Sequence, residues 1–153
     1  LDVGGCVILD DCTSLSKLPE NLTVGEILYI SNCSRIVEIP SSIKVGYSIV
    51  AKNCRALRVV ERDTVNGTLD LSGCNSLERV NVNRVEGDLM LVDCVNLSQL
   101  PESLFVGGNL SVVGSNITEI PNSIKVESDL MLNGYKTKIG NKVFGGQAVH
   151  VDA

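Results

Sequence analysis

Leu69-Asp70-Leu71-Ser72-Gly73-Cys74-Asn75-Ser76-Leu77 is followed, twenty residues on, by Leu89-Met90-Leu91-Val92-Asp93-Cys94-Val95-Asn96-Leu97. The same wording extends in both directions. Cys12, Cys33, Cys54, Cys74 and Cys94 each stand nine residues after a valine: Val3, Val24, Val45, Val65 and Val85. Val106 and Val126 continue the count, with Ser115 and Tyr135 in the cysteine slot. Self-similarity at this period predicts a solenoid, in which one short unit is stacked many times.

Within each unit, two apolar residues flank one outward position: Val7 and Leu9, Leu28 and Ile30, Ile49 and Ala51, Leu69 and Leu71. Leu89 and Leu91, Leu110 and Val112, and Leu130 and Leu132 complete the series. Apolar residues two apart mark a strand with one buried face. So short a strand gains its ladder only by stacking in parallel with its neighbours. The second half of the unit adds Leu15 and Leu18, Ile36 and Ile39, Leu57 and Val60, Leu77 and Val80, Leu97 and Leu100. Spacing of three predicts a 3₁₀ or turn-like path on the opposite side. Pro19, Pro40, Pro101 and Pro121 stop any helix there. Gly5, Gly67, Gly87 and Gly108 are expected to permit the corner into the strand.

The repeats that start at Val45 and Val65 lack the proline and are one residue shorter. The repeat from Val106 loses the cysteine and one residue together, at Ser115-Asn116-Ile117. After Tyr135 the pattern decays, and Val149-His150-Val151 is expected to form an eighth strand.

These segments resemble the leucine-rich repeat family. The carriers are Leu28-x-Ile30-x-x-Cys33, Leu69-x-Leu71-x-x-Cys74 and Leu89-x-Leu91-x-x-Cys94. The short period and the Leu18-Pro19-Glu20-Asn21-Leu22 and Leu100-Pro101-Glu102-Ser103-Leu104 returns resemble the bacterial class found in type III secreted effectors. The Cys-x-x-Leu-x-x-Leu-Pro wording is also similar to the repeats of plant intracellular immune receptors. The resemblance covers residues 3–134 and departs from the family at Gly4 and Gly25, where a leucine is common. It implies an α/β solenoid of about seven to eight repeats. A short-stranded parallel β-sheet would line the concave face, with 3₁₀ or irregular turns on the convex face. It also implies a target-recognition module acting on a host protein in the host cytosol. The alternative is the sensing region of an intracellular immune receptor.

The chain of 153 residues reads as one elongated domain, 1–153, with repeats beginning near 3, 24, 45, 65, 85, 106 and 126. Residues 135–153 read as a degenerate or terminal repeat. The start inside a repeat suggests part of a larger protein with neighbouring domains. The composition is 44% hydrophobic but 3% aromatic, so the core is aliphatic. A net charge of −5 disfavours nucleic acid and anionic membrane as partners. Lys52, Arg55, Arg58 and Arg62 cluster, and read first as a solvated flank.

Five of the six cysteines share one inward slot. The expected role of Cys12, Cys33, Cys54, Cys74, Cys94 and Ser115 is a structural ladder, donating to carbonyls of the adjoining turn. A straight row does not converge as a zinc site must, and no metal or other cofactor is expected. Cys6 falls outside the row. His150 lacks a partner for acid–base work, so no catalytic residue is assigned.

The residues between the inward apolars point outward, on the expected concave face: Ile8, Tyr29, Val50, Asp70, Met90, Ser111, Met131 and His150. A second row is Asp10, Ser31, Lys52, Ser72, Val92, Val113, Asn133 and Asp152. Ile8, Tyr29 and Val50 make one apolar run, and Met90, Val92, Val113 and Met131 another, with Asp70 between. Contiguous apolar surface of this kind marks an interaction site. Asp88, Asp93, Asn109 and Asp129 are expected to form a polar rim. A protein bound in trans, a covering domain of the same protein and a face without a role all remain open at this point.

Overall fold

The computed structural model describes residues 1–133, together with the backbone of Thr137–Ile139, Lys142–Phe144 and Val149–His150. The chain is a parallel β-solenoid of stacked coils about 20 residues apart, making about 6 turns. Each coil has three sides. The first side carries Asp2–Val3, Thr23–Val24 and Lys44–Val45, then the ends of Val59–Val65 and Arg79–Val85, then Phe105–Val106 and Lys125–Val126. The second, the ladder side, carries Val7–Ile8, Leu28–Tyr29, Ile49–Val50, Leu69–Asp70, Leu89–Met90, Leu110–Ser111 and Asp129–Met131 in one parallel sheet. The return side carries Glu38–Ile39 and the starts of the two seven-residue strands, Val59–Val65 and Arg79–Val85.

The register pairs like with like. Val7, Leu28, Ile49, Leu69, Leu89, Leu110 and Leu130 form one inward row. From Leu28 onward that row is essentially inaccessible to solvent, whereas Val7 is half-buried. A coil this thin buries its apolar residues only against the coils above and below, so the stack is the core.

Among the described residues there is neither an α-helix nor a 3₁₀ helix. The return side, expected to be 3₁₀ or turn-like, is turn with short strands, so the α/β class and the 3₁₀ path are not what the chain forms there. Apolar residues three apart are set by two successive reverse turns rather than by helix. Cys74 N bonds Leu71 O at 3.1 Å, and Leu77 N bonds Cys74 O at 3.1 Å. Cys94 and Leu97 repeat the pair. The eighth strand, Val149–His150, does not extend the parallel series. It pairs antiparallel with Asp129–Met131. The seven parallel ladder strands are joined by about 6 turns of the coil, against the seven to eight repeats expected.

The two lengths of repeat have a structural cause. Where proline is present the chain makes a four-residue turn, with Leu22 N on Pro19 O at 3.3 Å and Ile43 N on Pro40 O at 3.2 Å. Where it is absent, Val59–Val65 and Arg79–Val85 run straight from the return side into the first side, and the coil needs one residue fewer. The change of length opens a seam, because Lys44–Val45 does not pair with Thr64–Val65. Side chains patch it. Arg62, in register with the buried Val82, turns inward, and its Nη1 donates to Pro40 O at 3.2 Å and to Ile43 O. Asn66 Nδ2 donates to Gly46 O at 3.2 Å.

Close approach, not torsion, explains the glycines that follow the valines. A Cβ on Gly25 would lie 2.0 Å from Gly4 O, and one on Gly46 would lie 2.1 Å from Gly25 O. The same holds for three of the glycines assigned to the corner. Gly67, Gly87 and Gly108 have ordinary φ, and a Cβ there would strike the preceding coil. The positive-φ corner lies elsewhere, just before each cysteine slot.

Candidate functional site

That corner positions the whole ladder side. Asp11, Asn32, Asn53 and Asp93 have φ between 57° and 62°, and Gly73 and Gly114 have φ of 78° and 77°. This left-handed region is open to glycine and tolerated by Asn and Asp. Every residue before a cysteine slot from Cys12 to Ser115 is therefore Asp, Asn or Gly. The pattern is legible in the sequence, and attention to the cysteines passes over it.

Behind the corner lies the thiol row. Cys33 Sγ donates to Leu9 O at 3.0 Å, Cys54 to Ile30 O at 3.0 Å, Cys74 to Ala51 O at 3.0 Å and Cys94 to Leu71 O at 3.1 Å. Each bond ties one coil to the previous one. Ser115 behaves differently: its hydroxyl donates to Val112 O of its own coil at 2.6 Å. An oxygen is smaller than a sulfur, and its bond is shorter. The buried Asn133 lies behind the surface on which the second outward row placed it. Its amide donates to Ser115 O at 3.2 Å and Ile117 O at 2.8 Å, in the turn that lacks a thiol.

All six cysteines are free. Burial pushes the Cys33 thiol up and that of Cys94 up to about 12. The adjoining Cys54 thiol, and then burial, raise Cys74. A thiol held protonated is neither a nucleophile nor a metal ligand at neutral pH. Cys6 is exposed, with its Sγ 3.4 Å from Glu26 Oε2.

On the outer surface of the same strands the register joins Ile8, Tyr29, Val50, Asp70, Met90, Ser111 and Met131 into one unbroken row. Ile8 is 69% exposed, and Tyr29, Val50, Met90 and Met131 are partly buried. Ser111, between the two methionines, is buried. Val92 and the exposed Val113 adjoin the second patch, held by Gly73 N on Val92 O at 2.7 Å and Asp93 N on Val113 O at 2.8 Å. Asp70 separates the patches. Its Oδ1 accepts from Ser72 N at 3.1 Å, and its Oδ2 lies 3.5 Å from Lys52 Nζ. The side chains of His150, Asp152 and Tyr135 lie outside the described residues.

The expected rim has a second role. Ser48 Oγ accepts from Thr68 N, Thr68 Oγ1 from Asp88 N, Asp88 Oδ1 from Asn109 N and Asn109 Oδ1 from Asp129 N, at 2.8–3.3 Å. This polar ladder stitches one edge of the face, coil to coil. The basic cluster does not converge. Lys52 pairs with Asp70, Arg58 with Glu78 at 3.0 Å, and Arg62 is turned into the seam. A groove of about 420 Å³ lies on the return side along Lys17, Arg35, Glu38 and Pro40, away from the ladder face. Among the described residues no group of three His, Cys, Asp or Glu is placed to hold a metal ion.

The fold and surface define a class: a parallel β-solenoid repeat protein with an apolar stripe along its longest sheet. No family model, no curated protein and no solved structure matches the chain.

Proposed function

We propose that the chain is a protein-recognition module of the leucine-rich-repeat kind, and that its ladder face holds the partner. The observation that carries this reading is the row Ile8–Tyr29–Val50–Asp70–Met90–Ser111–Met131. It sets part-exposed apolar side chains on a sheet whose backbone bonds are already made. Such a surface binds without first ordering itself, which removes much of the entropic cost of association. Methionine adapts to irregular partners. On the resemblance, the module belongs to a bacterial secreted effector and recognises a host protein. A row of free thiols, four of them buried, fits the reducing cytosol that this reading requires.

The test is selection of a displayed random-peptide library on the wild-type chain. Each clone is then assayed on a variant carrying Tyr29→Thr, Met90→Thr and Met131→Thr. Threonine is a good strand former and adds no charge. Most clones are expected to lose at least about tenfold in affinity, the scale of one or two lost apolar anchors. Clones that bind the correctly folded variant undiminished place recognition on another surface.

A further inference from the structure

Charge is distributed unevenly between the sides of the coil. Among residues 1–133, the ladder face and its two edges hold Asp10, Asp11, Asp70, Asp88, Asp93 and Asp129, against Lys52. Lys52 is itself paired with Asp70. The strands of the other two sides are balanced over the same residues, with Asp2, Glu38, Glu61, Asp63 and Glu119 against Lys44, Arg62, Arg79, Arg84 and Lys125. Besides Asp70, three of the carboxylates are fixed by the scaffold. Asp10 Oδ1 accepts from Ser31 N at 2.8 Å, Asp11 Oδ1 from Asn32 Nδ2 at 2.8 Å and Asp88 Oδ1 from Asn109 N at 2.8 Å. Their charge is therefore displayed beside the apolar stripe at no ordering cost.

We infer that the partner of this face is a cationic amphipathic segment: apolar side chains seated on the two patches, lysine or arginine opposite the aspartates. The inference rests on the reading of the ladder face as a recognition surface and names the chemistry of what it recognises. Complementary charge speeds encounter and rejects acidic competitors, while the apolar stripe holds the complex. A second copy docked face to face is disfavoured, because two faces with the same acidic excess repel. Geometry sets the spacing. Coils rise about 4.8 Å, so Tyr29 and Ser111, the middles of the two patches, lie four rungs or roughly 19 Å apart. An extended segment covers that distance in about six residues.

The probe is a synthetic peptide with two Leu-x-Leu blocks about six residues apart and lysine or arginine elsewhere. Its twin carries glutamate at every basic position. Binding is measured by fluorescence anisotropy at low and high salt. The cationic peptide is expected to bind at least about tenfold more tightly than its twin, with the advantage shrinking as salt screens the charges. Asp10→Asn, Asp11→Asn and Asp93→Asn together keep an oxygen acceptor at each site and are expected to remove most of that advantage. Equal binding of the twins, both lost in the Tyr29/Met90/Met131→Thr variant, overturns the cationic partner and leaves the face reading standing. Binding of either peptide that this variant leaves unchanged overturns both readings. If neither peptide binds, or if sedimentation shows a dimer that the variant abolishes, the cationic segment is not the occupant.

Discussion

A cysteine in this protein acts through its hydrogen, not its sulfur lone pair. The thiol bonds from Cys33, Cys54, Cys74 and Cys94 each close a gap between consecutive coils. For Cys33, Cys74 and Cys94, whose thiols the fold pushes up, this ties ionisation to stability. In the unfolded chain these thiols ionise near their ordinary value of 9.0, whereas Cys94 in the folded chain stays protonated to about 12. Between those values the folded state binds more protons than the unfolded state, so stability is complete below pH 9 and falls as pH rises. The loss amounts to about 1.4 kcal/mol per pH unit for each such thiol. Urea unfolding from pH 7 to 10.5 is expected to show this decline, and Cys94→Ala to show a shallower one. An unchanged slope in the variant contradicts the assignment. Thiol reagents offer a second view: Cys6 and Cys12 react in the native state, and the four buried cysteines react only as the chain unfolds.

At the scale of the element, the seam between coils of unequal length depends on one side chain. Arg62 serves two turn carbonyls, but burial lowers its pKa, and its Nε is buried with no partner among the described residues. Arg62→Ala leaves the Ile43 carbonyl without its donor, while Pro40 O keeps Ile43 N. It is expected to cost about 2–3 kcal/mol, measured by chemical denaturation. Arg79→Ala, on an exposed neighbouring position, is expected to cost under about 0.5 kcal/mol. A loss at Arg62 no larger than at Arg79 would show that water replaces the guanidinium at no cost.

The molecule as a whole is a one-dimensional stack, and stability along it follows the number of neighbours each coil has. In the coil of Val7 the inward residues Val7, Leu9, Cys12 and Leu15 remain part-exposed. Hydrogen exchange is expected to be fastest at the amides of Val7 and Leu9 and slowest at those of Ile49, Leu69 and Leu89, deep in the ladder. Uniform protection along the stack would show that it opens in a single cooperative step.

The repeat period, the inward rows, the outward row from Ile8 to Met131 and the ladder role of the cysteines all follow from residues at fixed offsets. Stacking repeats each offset in space, so a sequence position becomes a place on a side of the coil. The residues that escape the period are those whose partners are set by neighbouring coils. Arg62 stands where the next coil has Val82, and its inward turn depends on a strand pairing broken one coil earlier. Asn133 resembles a surface residue until the missing thiol at Ser115 leaves carbonyls for its amide to serve. The return side combines local reverse turns with short strands paired to the next coil, and apolar spacing alone does not distinguish that path from 3₁₀. Offsets within the chain determined what faces in and what faces out. Contacts between coils decided how each side is built, and where the charge gathers around its apolar stripe.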